Sequence, residues 1–170
     1  MIASSPARLT VVEPAGPDDP LVPGFTASTR LTSAQTGSIS IVEHTFAPGS
    51  LVPPHRHTRE DEISYVVVGE IGFRSDDREV SLAAGGYIVK PRGELHAMWN
   101  ASPEPARMIE IISPAGFERY FVELAEAIAA AGGRPDPETV GPVAARYGLE
   151  FDFGWVPELI ERHGLTPQVR

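Results

Sequence analysis

The chain has no cysteine among its 170 residues. That absence excludes disulfides, thiolate metal sites and a cysteine nucleophile together, so any metal must sit on nitrogen and oxygen ligands. Basic residues are also few, 14 Lys and Arg against 23 Asp and Glu, for a formal net charge of −9 and a pI of about 5.0. They are scattered, with no run that could track a phosphate backbone, so no nucleic-acid partner is expected. No apolar run approaches the roughly 18 residues needed to span a bilayer. Residues 1–14 lack the basic start and apolar core of a secretion signal, which makes a soluble cytoplasmic protein the expectation. With 42% hydrophobic and 22% charged residues the composition is globular, and the length suits one domain with an appendage.

Proline and glycine are plentiful, 17 and 16, and they punctuate the first two thirds at short intervals. Between them lie brief apolar or alternating runs at 9–13, 38–47, 63–68, 79–82, 87–90, 96–100 and 107–113. Short strands with frequent turns predict an all-β sandwich or barrel. In 38–46, Ile39 and Ile41 share one face and Val42, His44 and Phe46 the other; alternation alone leaves open which face points inward.

After Ser113-Pro114 the period changes. Phe117, Tyr120, Phe121, Leu124 and Ile128 recur at helical spacing. Ser113 is the expected N-cap, Pro114 the first helical residue and Gly132-Gly133 the stop. A second helix is expected from Asp136-Pro137 to Gly148, and a third over 157–163, closed by Gly164. The division is therefore a barrel over 1–115 and a helical extension over 116–170 that is not an independent domain. Exposed barrel edges and an apolar helix face favour a homodimer.

Two segments carry the chemistry. His55 and His57 are two apart, so on a strand both imidazoles project from one face. Glu62 lies across a polar turn, with Glu60 and Asp61 as neighbours and Asp61 as the alternative carboxylate. In the second segment Gly93 supplies a turn and His96 opens a new strand, sharing a face with Met98 and Asn100. Three imidazoles and a carboxylate suit one divalent transition metal ion (Fe, Mn, Ni, Cu, Co or Zn) and disfavour calcium and magnesium. Four protein ligands leave two positions of an octahedron for a small-molecule substrate and a co-substrate. His44 has two readings: an imidazole on the outer sheet face, the more ordinary one, or a pocket group able to orient substrate or move a proton. We carry it with Glu62 as a catalytic candidate, and Met98, Tyr65 and Phe73 as candidate substrate contacts, although barrel packing is the commoner role for all three.

Read as spacing, the first segment is glycine (Gly49), five residues, His-x-His, four residues, Glu, six residues, glycine (Gly69). The second is glycine (Gly85), five residues, Pro-x-Gly, two residues, His, three residues, Asn100. These patterns, at 49–69 and 85–100, resemble the two motifs of the cupin family, every signature position filled. The resemblance implies a double-stranded β-helix (jelly-roll) barrel with a metal at its wide end on His55, His57, Glu62 and His96. The wording around Glu62-Ile-Ser-Tyr65 and 91–100 is similar to small bacterial cupins labelled quercetin dioxygenase-like, usually homodimers. That implies a metal-dependent dioxygenase on a small enolisable or aromatic substrate, with Glu62 as ligand or base. Non-redox cyclase, isomerase, epimerase or decarboxylase chemistry, or a non-catalytic ligand-binding role, fits the same residues.

Overall fold

The computed structural model describes residues 10–14, 27–133 and 135–167. In chain order it has β1 (Ala27–Leu31), a one-turn helix α1 (Ser33–Thr36), β2 (Ser40–Phe46), β3 (Ser50–His57), β4 (Asp61–Val68) and β5 (Glu70–Ser75). There follow β6 (Arg78–Ala83), β7 (Tyr87–Lys90), β8 (His96–Trp99) and β9 (Ala106–Ser113). The C-terminal part holds α2 (Glu118–Ala130), α3 (Pro137–Arg146), β10 (Leu149–Phe151), α4 (Val156–His163) and β11 (Thr166–Pro167). Of the strand expected at 9–13, residue 9 lies outside the described residues, and 10–13 join no sheet.

The strands form two sheets. One has the order β1-β2-β9-β4-β7, the other β10-β3-β8-β5-β6, with β11 alongside β3. Their inner faces meet in an apolar cluster drawn from both sheets, with Phe46, Val66 and Met108 from the first and Val52, Phe73 and Met98 from the second. This is the double-stranded β-helix arrangement, with a helical C-terminal part. On β2 the open question of face is resolved: Val42, His44 and Phe46 are buried and the Ile41 side is turned outward. The outer face of the first sheet keeps Ile63, Val68, Tyr87 and Val89 exposed.

The C-terminal extension is less separate than its periodicity suggests, because β10 and β11 both pair with β3. Helix α2 lays Tyr120, Phe121, Leu124 and Ile128 against Ala27, Val42 and Ile112 of the first sheet. Its start is corrected from Ser113-Pro114 to Phe117. Ser113 is held in β9 opposite Asp61, so it cannot also cap a helix. The other boundaries follow from capping: the Asp136 side chain accepts from the Thr139 amide, and Gly164 takes the left-handed conformation (φ 64°) after α4. Helix α4 covers the outside of the second sheet through Leu159, packed with Leu51, Ala97 and Trp99. Among the described residues no helix is long and apolar enough to cross a membrane.

Leu124, fully buried, ties α2 to the barrel. Leu124→Ala is expected to lower stability by about 3 kcal/mol, measured by urea unfolding; a loss under about 1 kcal/mol would mean that the helix is not part of the folded core.

Candidate metal centre

The strand register builds the site. In the second sheet β3 pairs with β8 so that His55 lies opposite His96, and His57 follows two residues on. The ring centroids are 4.4 Å apart for His55–His96 and 5.4 Å for His55–His57. From the first sheet comes Glu62, on an inward row that runs Ser40, Ile112, Glu62, Lys90 across β2, β9, β4 and β7. One ligand atom from each of His55, His57, Glu62 and His96 lies within 4.8 Å of the others, and all four residues are buried.

The imidazoles are oriented by the backbone. His55 Nδ1 is 2.8 Å from the Pro53 carbonyl and His96 Nδ1 is 3.0 Å from the Glu94 carbonyl. A proton on each Nδ1, donated to those carbonyls, leaves the Nε2 lone pairs for the centre. His57 Nε2 is 3.4 Å from Glu62 Oε1, and its Nδ1 is 3.7 Å from the buried Glu60 carboxylate. His96 Nε2 and Glu62 Oε2, 3.1 Å apart, are both buried without a hydrogen bond. Orphaned lone pairs of this kind are costly unless something satisfies them. A nitrogen and oxygen donor set with orphaned, converging atoms fits a divalent transition metal ion.

Burial, then the neighbouring His96 and His57, holds His55 well below its ordinary pKa, which keeps it neutral as a ligand must be. Burial opposes ionisation of Glu62, but His57 and Lys90 outweigh it and hold the carboxyl well below its usual range. Burial likewise opposes charge on His57, and the Glu62 and Glu60 carboxylates reverse this, raising its pKa.

Two charged groups in this site were not singled out from the sequence. Lys90 Nζ lies 3.2 Å from Glu62 Oε2 and donates to Glu110 Oε1. Glu110 Oε2 is 2.9 Å from His44 Nε2. All three residues are buried. Glu110 was detectable in principle, since it alternates with Met108 and Ile112. The choice between that face and the Ile109–Ile111 face needs the register.

His44 thus faces the interior and lines the metal cavity, against the outer-face reading. Met98 lines it too. Tyr65 does not: on β4 it alternates with inward Glu62 and Ser64, and its ring packs 4.5 Å from Tyr87 on the outer face. Phe73 points inward but is buried in the apolar cluster between the sheets and does not line the metal cavity. Asp61, the alternative carboxylate, is turned out to pair with Arg92. Asn100 holds backbone, donating to the Phe46 and Glu104 carbonyls.

The cavity above the four residues is small, about 30 Å³, room for about two waters. Its roof is C-terminal: Phe117, Tyr120 and Phe121 from the α2 segment, Leu149 and Phe151 from β10. The Phe117 ring sits 4.4 Å from His57, edge to face. The Tyr120 hydroxyl is buried without a hydrogen bond, and burial pushes its pKa up, so it stays a neutral donor.

The profile of the family described as "Cupin domain" matches residues 42–112, which include all four converging residues. Germin-like protein subfamily 2 member 2 of Arabidopsis thaliana is 33% identical over 85 residues, 47% of this chain and 39% of its own length. Germin-like protein subfamily T member 2 of the same plant is 39% identical over 69 residues, 38% of this chain and 31% of its own. The match thus spans less than two fifths of either relative. Among solved structures, KdgF from Halomonas sp. is 26% identical with a TM-score of 0.51, covering 57% of this chain and 86% of that one. A Cupin 2 conserved barrel domain protein from Salinispora arenicola has a TM-score of 0.55 at 18% identity, covering 82% and 99%, and shows a shared fold.

The buried polar set has a pH signature in the metal-free protein. Burial and Glu62 push the Glu110 pKa up, but Lys90 and His44 outweigh them and hold it below its ordinary 4.5. Folding therefore favours the carboxylate; that stabilisation is complete above pH 4.5 and is lost as pH falls below it. Glu110→Gln is expected to flatten the fall in urea midpoint between pH 7 and pH 3, and parallel wild-type and variant curves would contradict the assignment.

Proposed function

Residues 42–112 form a cupin domain, and on that premise we propose that the chain is a metal-dependent oxygenase acting on a small enolisable substrate. The observation that carries this reading is the buried group His55, His57, Glu62 and His96 facing a small, mostly apolar cavity. When bound, the metal supplies Lewis acidity and, if redox-active, a route for electrons to dioxygen.

The chain's own residues supply the rest. His55, His57 and His96 would hold the ion through ring nitrogens, and Glu62 would supply the one anionic ligand. Ring faces from Phe117, Phe121 and Phe151 exclude water from the reacting centre, which protects short-lived species and strengthens local electrostatics. On the roof the Tyr120 hydroxyl is a donor for a substrate oxygen. His44, its Nε2 turned to Glu110, lines the cavity as a polar group that can orient substrate. A cavity of about 30 Å³ excludes a flavonol outright, and even a small diketone or 2-oxo acid would enter only with movement of α2 or β10.

A second reading, Lewis-acid isomerase or decarboxylase chemistry without redox, is favoured by one observation. His44 and Glu110 line the cavity, and Lys90 pairs with Glu110 behind them, a buried polar set larger than oxygen activation alone requires.

Protein reconstituted anaerobically with Fe(II), Mn(II), Ni(II), Cu(II) or Zn(II) separates the two readings. Oxygen uptake with small diketones is expected for at least one redox-active metal and none for zinc. Turnover that persists with zinc and without oxygen would overturn the oxygenase reading in favour of the second. Tyr120→Phe is expected to lower kcat about tenfold, the effect of one lost hydrogen bond of roughly 1.4 kcal/mol, with metal affinity unchanged; an unaltered kcat would remove Tyr120 from the scheme.

A further inference from the structure

Resting on the metal-site reading above, we propose that Lys90 is a positioning residue that confines Glu62 to one ligating oxygen and so keeps two positions of the metal's shell open to substrate. Distance alone does not choose between the carboxylate oxygens. Oε1 is 3.4 Å from His57 Nε2 and Oε2 is 3.1 Å from His96 Nε2, so an ion held by the imidazoles could draw on both. A carboxylate bound through both oxygens would fill two positions of an octahedron and leave one. Bound through one oxygen, it leaves two, which is what a chelating substrate needs.

Lys90 breaks that symmetry. It lies directly opposite Glu62 across β4 and β7, so the pleat puts both side chains on the inner face. Its ammonium is 3.2 Å from Oε2, and a cation there opposes a second cation drawing on the same oxygen. Oε1, which faces His57, is left as the ligand. The ammonium has no freedom to withdraw. It donates to Glu110 Oε1 and to Met98 Sδ at 3.9 Å, and the group is buried. Glu110 is fixed in turn by Ser64 Oγ at 3.4 Å and His44 Nε2 at 2.9 Å. Lys90 and Glu110 together add no net charge, so the ammonium orients Glu62 without making the site more cationic.

The test uses the full chain loaded with Mn(II), whose bound waters are counted by water-proton relaxation and by electron-nuclear double resonance in H₂¹⁷O. Wild type is expected to carry two exchangeable waters. The charge-neutral double variant Lys90→Met/Glu110→Gln is expected to carry one, to bind Mn(II) several-fold tighter, and to bind oxalate, a chelating anion, at least tenfold more weakly. Glu110→Gln alone, which keeps the ammonium, should retain two waters. Two waters in the double variant with oxalate affinity unchanged would overturn the proposal. So would one water in wild type, a result that stands even if the double variant fails to fold. Wild type that binds no Mn(II), nor any other of the candidate metals, overturns the metal-site reading, and this inference with it.

Discussion

The rest of the site depends on one constraint: Glu62 is a carboxylate 2% exposed, placed among three imidazoles and an ammonium. A charge so far from water is tolerated only with partners of opposite sign and satisfied lone pairs. Lys90 supplies one positive charge, and it is shared with Glu110. The four converging residues still leave Glu62 Oε2 and His96 Nε2 without hydrogen bonds. A dication at the centre would supply the missing positive charge and a partner for the His96 Nε2 lone pair, which is why the donor set reads as a candidate metal centre and not as a buried ion-pair network.

The fold delivers these groups from opposite directions. The three imidazoles come from β3 and β8 of one sheet, and the carboxylate, ammonium, Glu110 and His44 from the inner face of the other. The ligands are thus fixed by two rigid ladders and not by loops, an arrangement that holds geometry tightly. The C-terminal part then closes the cavity, α2 and β10 contributing the aromatic roof while β10 pairs with the strand that bears His55 and His57. Roof and candidate ligands are mechanically one piece, so any opening of the roof must disturb the neighbourhood of His55 and His57.

The parts of this that the sequence made legible are those governed by local period and spacing. The His-x-His pair, the carboxylate five residues on and the His after a Pro-x-Gly turn are set by strand alternation and turn geometry, which a sequence displays directly. Helices α3 and α4 were legible for the same reason, through Asp136-Pro137 and Gly164. What depends on register was not. Lys90 and Glu110 acquire their roles only because β7 and β9 pair with β4 at particular offsets. His44 was assignable to neither face until β2 was paired with β9. Tyr65 and Phe73, expected chiefly to pack and also candidate substrate contacts, do not reach the cavity: one faces outward, and the other is taken up by packing between the sheets. Strand β5, with a glycine at Gly72 where a Cβ would meet the Trp99 ring at 2.3 Å, escaped a reading that treated glycine as punctuation.

The central claim is that one divalent ion sits among His55, His57, Glu62 and His96. X-ray absorption of the metal-loaded protein tests it most directly. The account predicts a single environment of light N and O scatterers near 2.1 Å with the outer-shell pattern of three imidazoles, losing one imidazole in His96→Ala. An outer shell with no imidazole, or a spectrum that His96→Ala leaves unchanged, would contradict it.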